Sequence, residues 1–239
     1  SMKLLETTKL FVLRRTADIL EQYLPPKIEN VVFCAPTQLQ TELYECYLQS
    51  SDVYNILQAN GSASPLEAIM NLRKMCNHPS LSYQNIMEVA GPKAMAKISN
   101  SNELNKDLYQ PQYSGKLLVL EKMLLHFREN TTDRVVLVSL FRKTLDIFEK
   151  MCQHHKFMFL RLDGTVPNNK RQSLVDAFND KGSKSFLFLL SSKAGGVGFN
   201  LVGANRIILF DGDWNPGMPR VVYVCEFMDM GFILFVFNE

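Results

Sequence analysis

The sequence predicts an α/β fold in which a parallel sheet, covered by helices on both faces, follows a mostly helical connecting segment. Two observations predict the sheet. From residue 114 onward, short apolar segments alternate with segments of helical periodicity. These apolar segments are continuous, which is typical of strands buried on both faces. A third observation predicts the connecting segment, because apolar residues before residue 84 recur mainly at helical spacing.

The composition is that of an ordinary globular chain. Its 239 residues are 46% hydrophobic and 21% charged, which excludes a wholly disordered chain and suits one large domain or two small ones. The net charge of +2 does not indicate a strongly basic nucleic-acid binder, so any such surface has to be local. No apolar run reaches the roughly 18 residues of a membrane span. The five cysteines form no C-x-x-C pair, which predicts reduced thiols and no metal site.

Residues 3–83 are predicted to form the connecting region, which is helical with one strand. A helical pattern over 3–24 ends at two prolines, and the β-branched, apolar centre of 28–34 predicts the strand. A second helix is predicted to begin after Thr37, which is a suitable N-cap, and a third to run from residue 65 to about 75.

Residues 114–216 are predicted to form the main α/β unit. A polar segment before it, 84–113, is interpreted as a mobile linker or an insertion. Helices are predicted over 114–128, 143–154 and 168–179, with Ser114 as the first N-cap, and strands over 135–139, 157–162, 186–190 and 204–210. The atypical apolar tail, 217–239, is interpreted either as an aggregation-prone exposed segment or as a strand added to the sheet.

The most unusual loop follows the strand predicted over 186–190. Residues 191–200 contain three glycines together with Ser192 and Lys193. Glycine lets backbone N–H groups approach a phosphate closely, and hydroxyl and ammonium groups add further donors. The loop therefore indicates a phosphate-binding site, and the alternative interpretation is a flexible turn into the next helix.

Two familiar nucleotide-binding fingerprints are absent from the sequence. A Walker A motif would need Ser or Thr after Gly115-Lys116, where Leu117 stands. A Rossmann fingerprint would need a glycine at the position of Leu201. A small-molecule nucleotide enzyme is therefore a disfavoured alternative. The four histidines have no companions that would predict a catalytic set or a metal site.

Two further loops at predicted strand ends carry charged residues. They are Asp163-Gly164, with Arg171 on the following helix, and residues 211–216, which include Asp213 and Trp214. The carboxyl ends of parallel strands meet at one edge of a sheet, which is where ligands bind in open α/β folds. Each loop is therefore interpreted either as part of a site at that edge or as a turn.

Taken as a set, several segments resemble the motifs of Swi/Snf-type DNA translocases, which are ATPases of helicase superfamily two. The resemblance covers about residues 8–216. The residues in these segments are most similar to those of the Rad-fifty-four-like recombination-repair branch. The matching segments are 11–16, 24–27, 72–79, 137–139, 144–146, 161–164, 190–201 and 213–216, together with Arg171 and 178–179.

The resemblance implies that the chain is the second of two RecA-like lobes, preceded by the helices that connect them. In this family the two lobes close on ATP and walk on duplex DNA, and the first lobe carries the Walker A motif. The implied roles are these: Ser139, Ser192, Lys193 and Gly195 face the DNA backbone, Gly198 and Asn200 lie near the nucleotide, and Arg161, Asp163, Gly164, Arg171, Asp213 and Trp214 support the motifs. ATP and Mg²⁺ would be bound mainly by the missing first lobe, so no catalytic or metal-binding residue is expected here.

Two departures from the family pattern bear on activity. Leu140 follows Ser139 where a polar residue is usual, which predicts a weaker DNA contact there. After Pro216 the family continues with a Gln and two Arg on one helix, and here only Arg220 is present. Arginine fingers accelerate related phosphoryl transfers by roughly 10³–10⁵-fold. Without them, and without a Walker A motif, this chain alone is not expected to hydrolyse ATP.

The resemblance implies a nuclear parent protein that is a DNA-dependent ATPase and double-stranded DNA translocase, acting in homologous recombination, DNA repair and chromatin remodelling. Its expected partners are double-stranded DNA, the first motor lobe and a strand-exchange recombinase, with no membrane. The alternative is a truncated, non-catalytic variant that binds DNA or a partner protein. Ser1-Met2 looks like a cloning remnant, so the chain is expected to be a fragment.

Overall fold

The computed structural model describes residues 8, 11–12, 28–58, 64–91, 109–194 and 199–212, and the backbone course of 231–237. Most of the helix predicted over 3–24, and most of the tail 217–239, lie outside the described residues. Within the described residues, no helix is long and apolar enough to cross a membrane.

A six-stranded sheet forms the centre of the described structure. Its strands are β1 (Ile28–Cys34), β2 (Val135–Ser139), β3 (Phe159–Leu162), β4 (Leu187–Ser191), β5 (Arg206–Leu209) and β6 (Gly231–Phe237). They lie in the order β1-β6-β5-β2-β4-β3, and every neighbouring pair is parallel. The predicted α/β fold with a parallel sheet is confirmed.

Seven helices surround the sheet in the described part of the chain. They are α1 (Gln38–Leu48), α2 (Ser51–Leu57), α3 (Pro65–Asn77), α4 (Tyr83–Ala90), α5 (Gly115–Asn130), α6 (Arg142–His154) and α7 (Asn168–Asn179). Helices α1 to α4 precede the main unit, and α5 to α7 alternate with its strands.

Two of these helices begin at the N-caps that the sequence predicts. The Thr37 hydroxyl accepts a hydrogen bond from the backbone N–H of Gln40, whose side-chain oxygen accepts from the N–H of Thr37 at 3.1 Å. This is a capping box, and it satisfies two donors that a helix start leaves open. At α5, the Ser114 hydroxyl accepts from the N–H of Leu117 at 3.2 Å. Both predicted caps are confirmed.

Strands β2 and β4 are buried on both faces of the sheet, as their apolar sequences predict. On β2, Val135 and Leu137 pack in one cluster with the apolar side chains of α5 and α6, while Val136 and Val138 pack in another with those of α7. This alternation follows from the two-residue period of a strand. Burying one such Val or Leu side chain stabilises the fold by roughly 1.5–3 kcal/mol relative to exposure.

Two helices lie where the sequence patterns predict no element. Helix α2 follows α1 after a short break, and α4 covers the start of the segment interpreted as a linker. Tyr83 and Ile86 of α4 are buried in a third apolar cluster with Leu43 and Tyr47 of α1. Tertiary packing therefore forms α4, and packing of this kind does not appear in the local pattern of a polar segment.

Two strands reach the sheet from outside the main α/β unit. Strand β6 belongs to the apolar tail and pairs with β5 on one side and β1 on the other. Of the two interpretations of the tail, the structure therefore supports a strand added to the sheet. Strand β1, predicted in the connecting region, becomes an edge strand through that pairing.

Candidate functional site

The loops that follow β2, β4 and β5 lie together at the carboxyl edge of the sheet. Ser192 begins the loop after β4, and its backbone N–H donates to the carbonyl oxygen of Ser139, the last residue of β2, at 3.0 Å. The N–H of Phe210, just after β5, donates to the carbonyl oxygen of Val138 at 3.0 Å. This is the edge at which open α/β sheets bind ligands.

Lys193 occupies an exposed position in the loop after β4. Its ammonium group forms no ion pair within the described part of the chain. The Oγ atom of Ser192 is buried and has no hydrogen-bond partner among the described residues. Gly195 and Gly198, which belong to the same predicted site, lie outside the described residues.

Asn200 lies beyond the glycines, on the surface. Its carbonyl oxygen accepts from the Asn179 side-chain amide at 2.7 Å, and the same side chain accepts from the N–H of Gly203 at 2.9 Å. A Cβ atom at Gly203 would lie only 2.7 Å from the carbonyl oxygen of Phe178. The segment that leads into β5 therefore passes close to the end of α7. Only glycine fits at position 203, because any larger residue would place a Cβ atom against the α7 backbone.

Ser139 is fully buried, at 0% exposure. Its hydroxyl donates to the Asp211 carboxylate at 2.6 Å and accepts from the N–H of Phe141 at 3.1 Å. The side chain is therefore committed to contacts inside the protein. The structure does not place it beside Lys193 on the surface, where the resemblance would have it face DNA.

Asp211 lies at the centre of a buried polar network, which we call the Asp211 network and define by the carboxylate and its partners. The carboxylate accepts hydrogen bonds from the Ser139 hydroxyl, from the N–H of Leu140 at 2.6 Å and from the Asn77 side chain. Burial raises the pKa of Asp211, and the three hydrogen bonds and the nearby Lys116 oppose that rise. Asn77 also donates to the Thr144 hydroxyl, at 3.2 Å.

Two basic side chains, Lys116 of α5 and Arg73 of α3, contact the loops at the same edge of the sheet. The ammonium group of Lys116, at the start of α5, donates to the carbonyl oxygen of Phe210 at 3.3 Å. Burial lowers the pKa of Lys116, and the neighbouring Cys76 and Asp211 oppose this. The Arg73 guanidinium, on α3, donates to the carbonyl oxygen of Gly212 and lies 5.7 Å from the ring centre of Phe141. The end of α3 therefore contacts the loops after both β2 and β5.

Arg161, near the end of β3, is the centre of a second polar cluster, which we call the Arg161 cluster. Arg161 donates to Asp146 and Glu149 of α6, each at 2.7 Å, and to Asp163 at 2.8 and 3.0 Å. Asp163 also accepts from the N–H of Thr165 at 2.8 Å. Burial raises the pKa of Asp163, but the hydrogen bonds from Thr165 and Arg161 together outweigh it, so the pKa lies below its ordinary value.

The remaining predicted residues divide into two groups. Gly164 lies in the exposed turn after β3. Arg171 donates to the carbonyl oxygen of Val166 at 3.0 Å and to that of Ala194 at 3.3 Å, so it links the turn after β3 to the loop after β4. Asp213 and Trp214 lie outside the described residues.

His78 is a buried residue for which sequence reasoning predicts no role. Its Nε2 atom lies 2.9 Å from the carbonyl oxygen of Gln110, and its Nδ1 atom accepts from the N–H of Ser80 at 3.2 Å. These contacts suit a neutral ring that carries its proton on Nε2. Burial lowers the pKa of His78 to about 4, against a smaller opposing effect of the Gln110 contact. The ring therefore fastens Gln110, which precedes α5, to the end of α3.

The described residues at this edge offer hydrogen-bond donors rather than a cluster of metal ligands. They contain no group of three or more His, Cys, Asp or Glu side chains that would hold a metal ion. The carboxylate nearest the edge, Asp211, is buried and already accepts three hydrogen bonds. The donors that remain open at this edge, at Ser192 and Lys193, suit phosphate oxygens rather than a cation.

Comparison with known protein families gives two matches along the chain. Residues 115–224 match the helicase conserved C-terminal domain, and residues 1–81 match the SNF2-related domain. Between them lies the segment 82–114, which contains α4 and ends just before α5.

Curated relatives match nearly the whole chain. The DNA repair protein rhp54 of Schizosaccharomyces pombe is 46% identical over 226 residues, which covers 91% of this chain and 26% of the relative. The human DNA repair and recombination protein RAD54-like is 46% identical over 206 residues, with coverages of 86% and 28%. RAD54 of Saccharomyces cerevisiae is 43% identical, with coverages of 91% and 24%. The chain thus spans about a quarter of the length of these relatives.

Solved structures share the fold. The C-terminal part of the Fun30 ATPase domain superposes with a TM-score of 0.67 at 24% identity, covering 90% of this chain and 86% of that chain. The C-terminal domain of the Sulfolobus solfataricus SWI2/SNF2 ATPase gives a TM-score of 0.64 at 20% identity, covering 89% and 80%. The RecA-like assignment of the parallel sheet and its preceding helices is confirmed.

The fold, the edge loops and the two domain matches define the class: this chain is the C-terminal lobe of a Swi/Snf-type ATPase, with the helices that lead into it. Within that class, the relatives at 43–46% identity place it in the Rad54-like branch of DNA repair and recombination proteins. The resemblance found in the sequence is therefore confirmed.

Proposed function

We propose that this chain is the second motor lobe of an ATP-dependent double-stranded DNA translocase. The parent protein acts in homologous recombination, DNA repair and chromatin remodelling in the nucleus. The observation that supports the proposal is Lys193 in the loop after β4, at the carboxyl edge of the sheet, which is exposed and forms no ion pair within the described residues. The names of the relatives, which are DNA repair and recombination proteins, support the same function.

In this proposal, Ser192, Lys193 and Gly195 contact the DNA backbone. Lysine binds phosphate as a point charge, and such contacts hold DNA without reading its sequence. Ser139 has a different role, because its hydroxyl is bonded to Asp211 in the interior. We assign to it the support of the loop rather than a contact with DNA.

The nucleotide is held in the cleft between this lobe and the first one. Gly198 and Asn200 face that cleft, and the first lobe provides most of the contacts to ATP and Mg²⁺. The two lobes would close on ATP, and this ATP-driven closure would step the parent protein along duplex DNA. Arg161, Asp163, Gly164, Arg171, Asp213 and Trp214 hold the motifs in position, and the hydrogen bond from Arg171 to Ala194 supports this assignment. A strand-exchange recombinase is the proposed protein partner.

ATP hydrolysis with and without duplex DNA tests the proposal. We expect no activity from the chain alone, and DNA-stimulated activity when a separately expressed first lobe of the parent is added. Lys193→Ala should reduce the DNA-stimulated rate, and Lys184→Ala, an exposed lysine in the loop before β4, is the matched control. An unchanged DNA-stimulated rate in Lys193→Ala would show that the assigned DNA contact is wrong.

A second candidate function is a non-catalytic variant that binds DNA or a partner protein. The observation that favours it is the tail, which lacks the family's paired arginines and instead adds β6 to the sheet. Folded protein that binds duplex DNA but gives no activity with the first lobe would favour this function. Activity in the mixture would exclude it.

A further inference from the structure

We propose that Asp211 is a positioning residue that couples the end of α3 to the DNA-facing loop after β4. The inference rests on the proposed function, because it explains how a loop that binds DNA is held relative to the connecting helices. The sequence resemblance assigns no role to Asp211, Asn77 or Lys116.

On the loop side, the coupling runs through two hydrogen-bonded steps. Asp211 accepts from the Ser139 hydroxyl and the Leu140 N–H, which fixes the chain as it leaves β2. The Ser139 carbonyl oxygen then accepts the N–H of Ser192, at 3.0 Å. Because Lys193 follows directly, the position of its backbone depends on the conformation that Asp211 imposes on the end of β2.

The other side of the carboxylate faces the connecting helices. Asn77, the last residue of α3, donates to the oxygen that also accepts from Ser139. The backbone carbonyl oxygen of Asn77 accepts from the Ser114 hydroxyl at 2.7 Å, which joins α3 to the start of α5. A displacement of α3 would therefore alter the hydrogen bonding of the atom that orients Ser139.

Burial makes this arrangement sensitive to small changes. Asp211 is 8% exposed and Asn77 is 1% exposed, so water cannot readily replace a lost partner. The three groups that hydrogen-bond to the carboxylate are donors, and Lys116 supplies positive charge from α5. A residue at position 211 that can only partly accept these bonds should therefore change the local geometry as well as the stability.

The carboxylate of Asp211 and the amide of Asn77 can be exchanged between the two positions by mutation, and this exchange gives the test. In Asp211→Asn, one carboxylate oxygen becomes an amide N–H group, so the bonds from Leu140 and Asn77, which use different oxygens, cannot both form as they do in the unaltered chain. In the double variant Asn77→Asp with Asp211→Asn, the amide at 211 donates to a carboxylate at 77 and the bond returns in the opposite direction. Asn77→Ala removes the hydrogen bonds from α3 to Asp211 and to Thr144, and it introduces no buried charge. Asp176→Asn, on the exposed side of α7 with a hydrogen bond from Gln172, is the matched control.

Amide hydrogen exchange of Ser192 and the affinity for a labelled DNA duplex are measured on each variant, under conditions in which circular dichroism shows folded protein. We expect Asp211→Asn and Asn77→Ala to speed exchange at Ser192 and to weaken DNA binding, each on the order of tenfold, which is the effect of losing one hydrogen bond to a charged group. The double variant should recover most of the exchange protection at Ser192 and most of the DNA affinity. Asp176→Asn should change neither quantity.

Three results would overturn the inference. Unchanged exchange at Ser192 in Asn77→Ala would show that α3 is not coupled to the loop. Equal losses in the single and double variants would show that restoring a hydrogen bond between positions 77 and 211 does not restore the coupling. Faster exchange at all core amides, rather than at Ser192 and its neighbours, would show a general loss of stability. If the unaltered chain binds no DNA, the proposed function fails, while the exchange measurements still decide the coupling.

Discussion

The Asp211 network and the Arg161 cluster both lie where strands end at the carboxyl edge, yet they hold their charges in opposite ways. In the first, one carboxylate is surrounded mainly by neutral donors and is almost inaccessible to water. In the second, one arginine faces three carboxylates, two of which are more than a third exposed. Burial governs the first, so the pKa of Asp211 rises, and direct hydrogen bonds govern the second, so the pKa of Asp163 falls.

The comparison teaches that the same residue type contributes differently at the two places. A buried carboxylate leaves uncompensated donors and an unpaired cation when it is removed, and this is costly. A half-exposed ion pair is screened by water and salt, so its contribution is small. Differences in unfolding free energy between matched variants therefore measure the effect of burial.

The largest expected effect is that of Asp211→Ala. It leaves Lys116 buried without its nearby carboxylate and three donors without their acceptor, so we expect a loss of about 3–5 kcal/mol in unfolding free energy. Asp163→Ala should cost about 1–2 kcal/mol, because Arg161 keeps two other carboxylates. Urea unfolding of both variants provides the measurement. Equal losses would contradict the contrast between the two regions.

The next largest effect is a loss of stability at low pH. It involves His78, which directly follows Asn77 of the Asp211 network. Its pKa is about 4 in the folded chain and 6.5 ordinarily, so between these values the unfolded chain binds the extra proton. The stability that His78 contributes is present above pH 6.5 and is lost as the pH falls toward 4, by about 3 kcal/mol in total. The unfolding free energy, plotted against pH across this range, should have a shallower slope in His78→Gln than in the unaltered chain. His126→Gln, at an exposed histidine, is the control, and a slope that His78→Gln leaves intact would exclude this explanation.

A smaller effect is expected at Arg161. Arg161→Lys keeps the positive charge but loses the planar fork that reaches three carboxylates, so we expect a cost of about 1 kcal/mol. High salt should reduce the difference between the variant and the unaltered chain. A salt-independent difference would mean that packing of the arginine stem, rather than charge, holds the cluster together.

The smallest effect on stability is expected at Lys193, where no described contact is lost. Lys193→Ala should leave urea unfolding unchanged and weaken duplex binding. It should lower the slope of log affinity against log salt by about 0.9, which corresponds to one phosphate contact. A reduced affinity with an unchanged slope would indicate that Lys193 does not neutralise a phosphate.

The sequence predicts the elements whose signals are local. Strand β2 and helix α7 appear at the predicted residues, and the Thr37 and Ser114 caps form as expected. The edge loops were also located correctly, because apolar strands followed by polar loops mark the carboxyl edge. The sequence cannot predict which side chains meet there, because Asn77 and Asp211 are separated by 134 positions. Ser139 illustrates the same limit, since its motif marks the loop but not the inward direction of its hydroxyl.

Strand β6 has a consequence for how the sheet is completed during synthesis. The strand made first, β1, has β6 as its only partner in the described sheet, and β6 is made last. Strands β2 to β5 can pair as they emerge from the ribosome, but β1 has to wait until β6 has been translated. Pairing between such distant segments forms slowly, and a waiting strand is open to wrong partners. Early termination would leave the apolar β1 without a neighbour, and chaperones that bind extended apolar segments would meet it first.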